Sequence, residues 1–180
     1  MYGLVNRAIE DLVCQNHGQE TWERVRARAG VTGHGFVAME SYPDAITYAL
    51  VGAAAEELGA PADEILEAFG EFWMKYTAEE GYGELLGIMG STFDEFMDNL
   101  DSMHARIAAT MPHLVPPSFT REATPEGATI LHYESERKGL APMVIGLLKG
   151  LSTRFNVKFE VEHLAPVGEG HERFLITRSD

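Results

Sequence analysis

Residues 133–137 read Tyr-Glu-Ser-Glu-Arg and place a phenol, a hydroxyl and a guanidinium at alternate positions. In a β-strand that runs into a turn, side chains two residues apart point to the same face, so Tyr133, Ser135 and Arg137 would converge. Arginine holds a carboxylate in a planar, bidentate contact, and hydroxyl groups can bond the remaining oxygen atoms. The pattern therefore fits a site for a dicarboxylate, but it also fits a solvated sheet face, the more common origin of such residues.

The chain as a whole is acidic, with 180 residues, a formal net charge of −14 and a hydrophobic content of 45%. This length and composition predict one domain, residues 1–180, with a sizeable core. The negative charge argues against a nucleic acid or an anionic membrane as a partner. A single cysteine, Cys14, excludes an internal disulfide and a multi-cysteine zinc site.

Targeting signals are not evident in the sequence. Arg7, Glu10 and Asp11 lie within the first helical stretch, so the chain does not begin with the apolar segment of a signal peptide. The apolar run over residues 49–55 is too short to span a membrane. We therefore expect a soluble, cytoplasmic protein.

Residues 1–115 are expected to be mainly helical. Apolar residues recur at helical spacing within residues 4–13, 45–53, 65–76 and 93–111, and a short helix is expected around residues 21–28. Trp73 belongs to an aromatic stripe that fits either core packing or the wall of a pocket for a large, flat ligand. Gly81, Tyr82, Gly83 and Gly87 superficially resemble a phosphate-binding loop, but no predicted strand precedes them and the required glycine spacing is absent. They are interpreted as a loop between helices.

The predicted helix over residues 93–111 carries the most informative histidine. Thr92 and Glu95 form the pattern of a capping box at its start, and His104 lies within its apolar stripe. Such a histidine is usually a core residue bonded to a backbone carbonyl, but it also suits the axial ligand of a haem iron. The other histidines lie in predicted loops, at element ends or, for His132, on the sheet face opposite Tyr133: His17, His34, His113, His132, His163 and His171.

Residues 116–180 are expected to form a sheet and one helix. Pro116 and Pro117 end the helical region, and alternating residues predict strands over 128–134, 157–162 and 172–177. Turn residues at 125–127 and 166–170 favour an antiparallel arrangement. Between the first two strands, an apolar helix is expected to begin near Pro142 and to continue through residue 155.

Taken together, these residues resemble a known family. The Tyr-x-Ser-x-Arg pattern, the apolar helix after it and His104 upstream are similar to the H-NOX domain, the haem nitric oxide/oxygen-binding domain also found in soluble guanylate cyclase. The resemblance covers essentially the whole chain, and several local runs resemble stand-alone cyanobacterial members. It implies an α+β fold in which the mainly helical residues 1–115 pack on a four-stranded antiparallel sheet with a crossing helix, residues 116–180, with haem buried between them.

The resemblance also implies roles for individual residues. The cofactor would be haem b, held non-covalently, since the sequence has no Cys-x-x-Cys-His attachment motif. His104 resembles the iron ligand, and Tyr133, Ser135 and Arg137 resemble the residues that bind the haem propionates. Pro117 resembles the proline that presses on the macrocycle and distorts it.

The choice of gas would depend on the distal side of the haem. Oxygen-binding members of the family place a tyrosine on the helix after the motif, whereas Met143 stands there in this chain, beside Pro142. Neither side chain can donate a hydrogen bond, so the chain resembles the branch that selects NO. The indole N–H of Trp73 keeps the oxygen-binding alternative open. Leu4 and Val5 are further candidates for this wall.

The function that the resemblance implies is sensing and not catalysis. NO or CO would bind to a five-coordinate ferrous haem, the bond between the iron and His104 would weaken or break, and the domain would change shape. A partner must read this change, and stand-alone bacterial members pair with a histidine kinase or a cyclic-dinucleotide enzyme. Two other classes stay open: a haem enzyme such as a peroxidase, and a binding module for another amphipathic carboxylate such as a fatty acid.

Overall fold

The polypeptide begins with a set of packed helices. The computed structural model describes residues 1–33 and 35–179, so His34, one of the histidines considered above, lies outside the described residues, as does Asp180. The α-helices are α1 Gly3–His17, α2 Gln19–Arg28, α3 Asp44–Leu58, α4 Ala62–Thr77, α5 Gly83–Gly87, α6 Phe93–Asp98, α7 Leu100–Thr110 and α8 Ala141–Phe155. The helices predicted over residues 4–13, 21–28, 45–53 and 65–76 are confirmed.

The segment between α4 and α5 is helical, so the prediction of a loop over residues 81–83 is wrong. Ala78–Tyr82 forms a π-helical turn that continues directly into α5. A Cβ atom at Gly83 would lie 2.7 Å from the carbonyl oxygen of Ala78, so glycine fits where this widened turn crowds the backbone. Glycine at this position permits the close approach of the two backbone segments.

The helix predicted over residues 93–111 is divided at Asn99 into α6 and α7. The capping box is confirmed, with the Glu95 amide donating to the Thr92 hydroxyl at 3.2 Å. Asn99 adopts φ −94° and ψ −2°, and its side-chain amide donates to the carbonyl oxygens of Met89 at 2.8 Å and Glu95 at 3.0 Å. An asparagine side chain that bonds nearby carbonyls competes with the helix, which explains the break.

The second part of the chain forms a four-stranded antiparallel sheet with the strand order β1-β2-β4-β3. The strands are β1 Ser118–Ala123, β2 Thr129–Glu134, β3 Phe159–Gly168 and β4 His171–Arg178. The three strands predicted from alternation are confirmed. The fourth, β1, was implied only by the family resemblance, because Ser, Thr, Arg and Glu residues hide its alternation.

The helix α8 lies across the inner face of the sheet and packs very closely on α4. Cβ atoms at Gly70 and Gly146 would lie 2.1 and 1.9 Å from the carbonyl oxygens of Met143 and Glu67, respectively, so the two backbones touch. Val144 and Leu148 of α8 join Leu131, Phe174 and Ile176 of the sheet in one buried cluster. This crossing fixes the residues of α4 and α8 relative to the sheet.

Two apolar clusters make up the core. One joins α1 to α4 around the fully buried Trp22, Val25 and Leu50. The other joins α6, α8 and the sheet around Phe96 and Phe174. In the part of the chain that the structure describes, none of the helices combines the length and apolar character needed to cross a membrane.

Candidate functional site

An apolar cavity of about 300 Å³ borders both core clusters. Its lining comes from α1, from each of the helices α3 to α8, from the inner face of the sheet and from the segment around residues 111–117. The structure brings together all the residues singled out from the sequence, and each of them lines this cavity: Leu4, Val5, Trp73, His104, Pro117, Tyr133, Ser135, Arg137 and Met143.

His104 borders the cavity from α7. Its ring lies 5.9 Å from the ring of Phe119, centroid to centroid, and its Nδ1 atom is buried without a hydrogen bond of normal geometry. Burial lowers the pKa of His104, although the Asp101 carboxylate and the backbone of Pro117 act in the opposite direction. The imidazole is therefore neutral near pH 7 and retains a lone pair that a metal can accept.

The helix α7 rests on the cavity without a buried residue of its own. Leu100, Met103 and Ile107 line the cavity beside His104. Asp101 links this helix to the sheet. Its carboxylate accepts hydrogen bonds from the Ser118 hydroxyl and the Phe119 amide of β1, both at 2.8 Å. A displacement of α7 would therefore be transmitted directly to β1.

Tyr133, Ser135 and Arg137 meet at one end of the cavity. Tyr133 is buried on the inner face of β2, and burial raises the pKa of its phenol, although the Ser135 side chain acts in the opposite direction. Ser135 accepts a hydrogen bond at 3.1 Å from the backbone amide of Arg137. The Arg137 side chain is only 18% exposed and donates to Asp44 at 2.8 Å and to the carbonyl oxygen of Val115 at 2.7 Å. Protonated phenol and guanidinium groups are both donors for a carboxylate.

Two residues of α3 support this end of the cavity, and the sequence did not single them out. Asp44 accepts hydrogen bonds from Arg137 and from the Met1 ammonium group. Burial would raise the pKa of Asp44, but these two bonds outweigh it, so this pKa lies below its ordinary value. Tyr48, one turn later, donates to the carbonyl oxygen of Lys138 at 3.0 Å. In a sequence, an aspartate directly after a proline indicates only the start of a helix. The contact of Asp44 with Arg137 is not predictable from this pattern.

The turn between β3 and β4 supports the motif from the other side. The Ser135 amide donates to the carbonyl oxygen of Gly170 at 2.9 Å. Gly170 has φ +75°, and a Cβ atom there would lie 2.5 Å from the carbonyl oxygen of Ser135. Glycine at this position therefore allows the turn and the motif to touch.

Another wall of the cavity comes from α1, α4 and α8. Leu4 and Val5 contribute apolar side chains, Met143 a thioether, and Trp73 a half-buried indole that lies 5.8 Å from the ring of Phe69. Trp73 is thus part of both an aromatic row and the cavity lining. The close crossing of α4 and α8 holds Trp73 and Met143 in place.

The threonine hydroxyls on the cavity lining are already engaged. Thr47 donates to the side-chain oxygen of Asn6 at 2.7 Å, and Thr77 donates to the carbonyl oxygen of Trp73 at 2.8 Å. Each hydroxyl has one proton to donate, so neither offers a donor to a ligand in the cavity.

The proline pair and a second histidine complete the lining. Pro116 and Pro117 directly precede β1 and border the cavity. His113 also lines it, but this residue is exposed, in contrast to the buried Nδ1 of His104. Within residues 1–33 and 35–179, no group of three or more His, Cys, Asp or Glu side chains could hold a metal ion. His104 is thus a single candidate metal ligand on this cavity.

Comparison with known proteins agrees with this geometry. The sequence matches the haem-NO-binding family over residues 2–163. It is 36% identical over 157 residues to soluble guanylate cyclase gcy-32 of Caenorhabditis elegans, and 33% identical over 189 aligned positions to gcy-35 of the same nematode. These alignments cover 86% and 99% of this chain but 23% and 28% of the relatives, so the chain spans about a quarter of their length.

Solved structures share the fold over the whole chain. An H-NOX protein from S. oneidensis in the Fe(II)NO ligation state has a TM-score of 0.89 at 22% identity, with both chains covered completely. An oxygen-binding H-NOX domain in its oxygen complex has a TM-score of 0.82 at 18% identity, over 100% of this chain and 96% of that one. The fold predicted from the family resemblance is therefore confirmed. With the match over residues 2–163, this chain belongs to the haem-NO-binding family, the H-NOX domains of haem-based gas sensors.

Proposed function

We propose that residues 1–180 act as a single domain that binds haem b non-covalently and senses NO, with CO as a second ligand. The observation that carries this proposal is the convergence of one neutral imidazole, His104, and three side chains able to hydrogen-bond a carboxylate on one apolar cavity. Haem is an apolar ring with two carboxylates at one edge, and this cavity offers matching surfaces. When bound, a ferrous haem held by His104 would supply an iron able to take up NO.

The carboxylate end of the cavity supplies what burial of two anions requires. Buried carboxylates are destabilising unless they are paired and hydrogen-bonded, and a chain of net charge −14 cannot rely on its overall field to attract them. Arg137 provides a cation, and Tyr133 and Ser135 provide hydroxyl groups. Asp44 orients Arg137, so the guanidinium is positioned before a ligand arrives.

The proposed selection of NO over oxygen rests on the side chains of Met143, Thr47 and Thr77 on the cavity lining. A bound oxygen molecule on ferrous iron develops negative charge and is stabilised by a hydrogen-bond donor, whereas bound NO needs none. Met143 cannot donate, and Thr47 and Thr77 use their protons elsewhere. If the chain bound oxygen instead, the indole N–H of Trp73 would be the hydrogen-bond donor to it.

The exposure of the reduced protein to gases tests this selection. We expect the absorption spectrum of the reduced protein to change with NO and with CO, and to show no stable oxygenated form in air. The Trp73→Phe variant should respond in the same way as the unaltered chain. A durable oxygenated spectrum in air that is lost in Trp73→Phe would replace NO selection with oxygen sensing through the indole donor.

The signal would leave the cavity through α7. Release of His104 would free a helix that has no buried residue, and Asp101 would carry its displacement to Ser118 and Phe119 of β1. Pro117, beside His104, would be the contact that presses on the ring of the cofactor. The partner that reads this change would be a histidine kinase, a cyclic-dinucleotide enzyme or, by analogy with the guanylate cyclase relatives, a further cyclase domain.

Replacement of Gly170 tests whether the turn between β3 and β4 positions Ser135 for haem binding. Alanine at Gly170 would combine a left-handed backbone, which costs about 1–2 kcal/mol, with a collision at Ser135, so the Gly170→Ala variant should lose haem faster than the unaltered chain. The measurement is the rate of haem transfer to excess apomyoglobin.

The matched control for this variant is Gly168→Ala in the same turn region. A Cβ atom at Gly168 meets nothing within 4 Å, and its φ is not positive, so its rate of haem transfer should remain that of the unaltered chain. Equal rates in Gly170→Ala and Gly168→Ala would show that the turn does not position Ser135.

Two rival functions predict different results. A peroxidase would turn over peroxide rapidly, whereas a sensor should show only slow turnover. A module for a fatty acid or a similar amphipathic carboxylate would use the same arginine and the same apolar walls, but the purified protein would be colourless after growth with a haem precursor. A red preparation with a haem absorption band is the result that we expect.

A further inference from the structure

The outer face of the sheet carries a pair of histidines that the haem site does not use. His132 in β2 and His171 at the start of β4 lie on the face opposite Tyr133, because the register pairs Glu134 with His171 and His132 with Arg173. The Nδ1 atom of His132 lies 2.9 Å from the Nε2 atom of His171. Two imidazole nitrogens at this distance share a single proton or a single metal ion.

The distance between these nitrogens matches the bite of a metal chelate. Imidazole nitrogens bind first-row metals at about 2.0–2.1 Å, so two of them at a right angle lie about 2.9 Å apart. Right angles between ligands occur in the octahedral and tetragonal sites of Ni²⁺ and Cu²⁺, both of which accept imidazole ligands. A tetrahedral ion would need the two rings to move apart.

A carboxylate orients the first of these rings. The Nε2 atom of His132 lies 3.4 Å from a carboxylate oxygen of Glu122 in β1. Donation of the Nε2 proton to Glu122 would leave the Nδ1 lone pair directed at His171. A histidine that ligates a metal commonly donates its other ring N–H to a carboxylate in this way.

The neighbouring charges favour a cation. Glu122 and Glu134 lie on the same outer face as the two histidines. Arg173, the nearest cation in the register, donates to the carbonyl oxygen of Ala165 at 2.9 and 3.2 Å. Its guanidinium is thus engaged with β3, and the side chain of His132 is only 19% exposed, which reduces competition from water.

We propose that His132 and His171 form a two-imidazole site for a divalent late first-row metal ion, on the sheet face opposite the haem cavity, with water completing the coordination. Because it joins β2 to β4 in the sheet, the bound ion would hold these strands together. The site is independent of the haem proposal, since none of its side chains lines that cavity.

Calorimetric titration of the untagged chain, residues 1–180, with Ni²⁺ tests this site. We expect one saturable equivalent and no change in the absorption spectrum of the cofactor. His132→Gln and His171→Gln should each weaken binding at least about tenfold, as removal of even an outer partner of a ligand does. His163→Gln is the matched control, because His163 in β3 bonds the Glu172 carboxylate at 2.8 Å and has no second imidazole partner there.

Two results would overturn the proposal. The first is the absence of saturable Ni²⁺ binding to the unaltered chain, which would leave the histidines sharing only a proton. The second is an unchanged affinity for Ni²⁺ in a variant that combines His132→Gln with His171→Gln. If a variant fails to fold, nuclear magnetic resonance of the unaltered chain tests the site. In the reduced, CO-saturated protein, paramagnetic Ni²⁺ should broaden the imidazole resonances of His132 and His171 before those of other histidines. Broadening centred on another histidine would refute the site.

Discussion

The His104→Gly variant should fail to retain haem, and imidazole in the medium should restore the haem. The neutral ring of His104, with its buried Nδ1 atom, is the lone-pair donor that the cavity offers from α7, and glycine leaves a space that free imidazole can fill. Even outer partners of metal ligands contribute about 10- to 100-fold to affinity, so the loss of the ligand itself should exceed that range. The measurement is the haem content after purification, with and without imidazole.

The control for this variant is His113→Gln. His113 also lines the cavity, but it is exposed and belongs to the segment before the proline pair. We expect His113→Gln to keep its haem and its spectrum. If His113→Gln loses haem while His104→Gly keeps it, the axial ligand comes from the loop and the account of α7 as the moving element fails.

The second large effect is expected for Arg137→Ala. Removal of the guanidinium takes away the cation at the carboxylate end of the cavity and leaves Asp44 facing that end with one partner fewer. Hydrogen bonds to charged groups contribute about 1.5–3 kcal/mol, which is more than an exposed salt bridge provides. The rate of haem transfer to apomyoglobin should therefore rise by about 10- to 100-fold.

The adjacent residue provides the control. Lys138 carries the same charge but is exposed, pairs with Glu169 and does not line the apolar cavity. Lys138→Ala should release haem at the rate of the unaltered chain. Equal acceleration in both variants would mean that Arg137 acts through the overall charge of this surface and not through a direct contact with a carboxylate.

The elements that periodicity predicted well are those whose apolar residues form one buried face. The repeats of α1, α3, α4 and α8 are visible because each buries one stripe, and the strands β2 and β4 alternate because Leu131, Tyr133, Phe174 and Ile176 face the core. The strand β1 lacks this alternation of apolar residues, because Arg121 points inward to Asp94 and Asp98 of α6. A charged residue paired across elements has no signature in a single sequence.

The candidate site was predictable where a motif was short and local. Tyr133, Ser135 and Arg137 are two residues apart on one strand and its turn, so their convergence follows from strand geometry. Asp44, Asp101 and Gly170 could not be found in this way, because each acts on a residue far away in the chain: Arg137, Ser118 and Ser135. Their roles depend on tertiary contacts that only the fold provides.

The breaks in the helices were also set by tertiary contacts. Asn99 divides α6 from α7 because its side chain reaches back to Met89, and Gly83 permits the widened turn after α4. Local pattern favours a continuous helix in the first case and a loop in the second. Both features lie close to the cavity, and the break at Asn99 separates the helix that carries His104 from the packed core.

The central claim, that NO releases His104 from a haem iron, is tested most directly by the electron paramagnetic resonance spectrum of the reduced protein after addition of NO. If the bond to His104 breaks, hyperfine coupling will come from the NO nitrogen alone. Coupling from an additional imidazole nitrogen would show that His104 stays bound and would contradict the mechanism. A reduced protein without a haem signal of any kind would contradict the function as well.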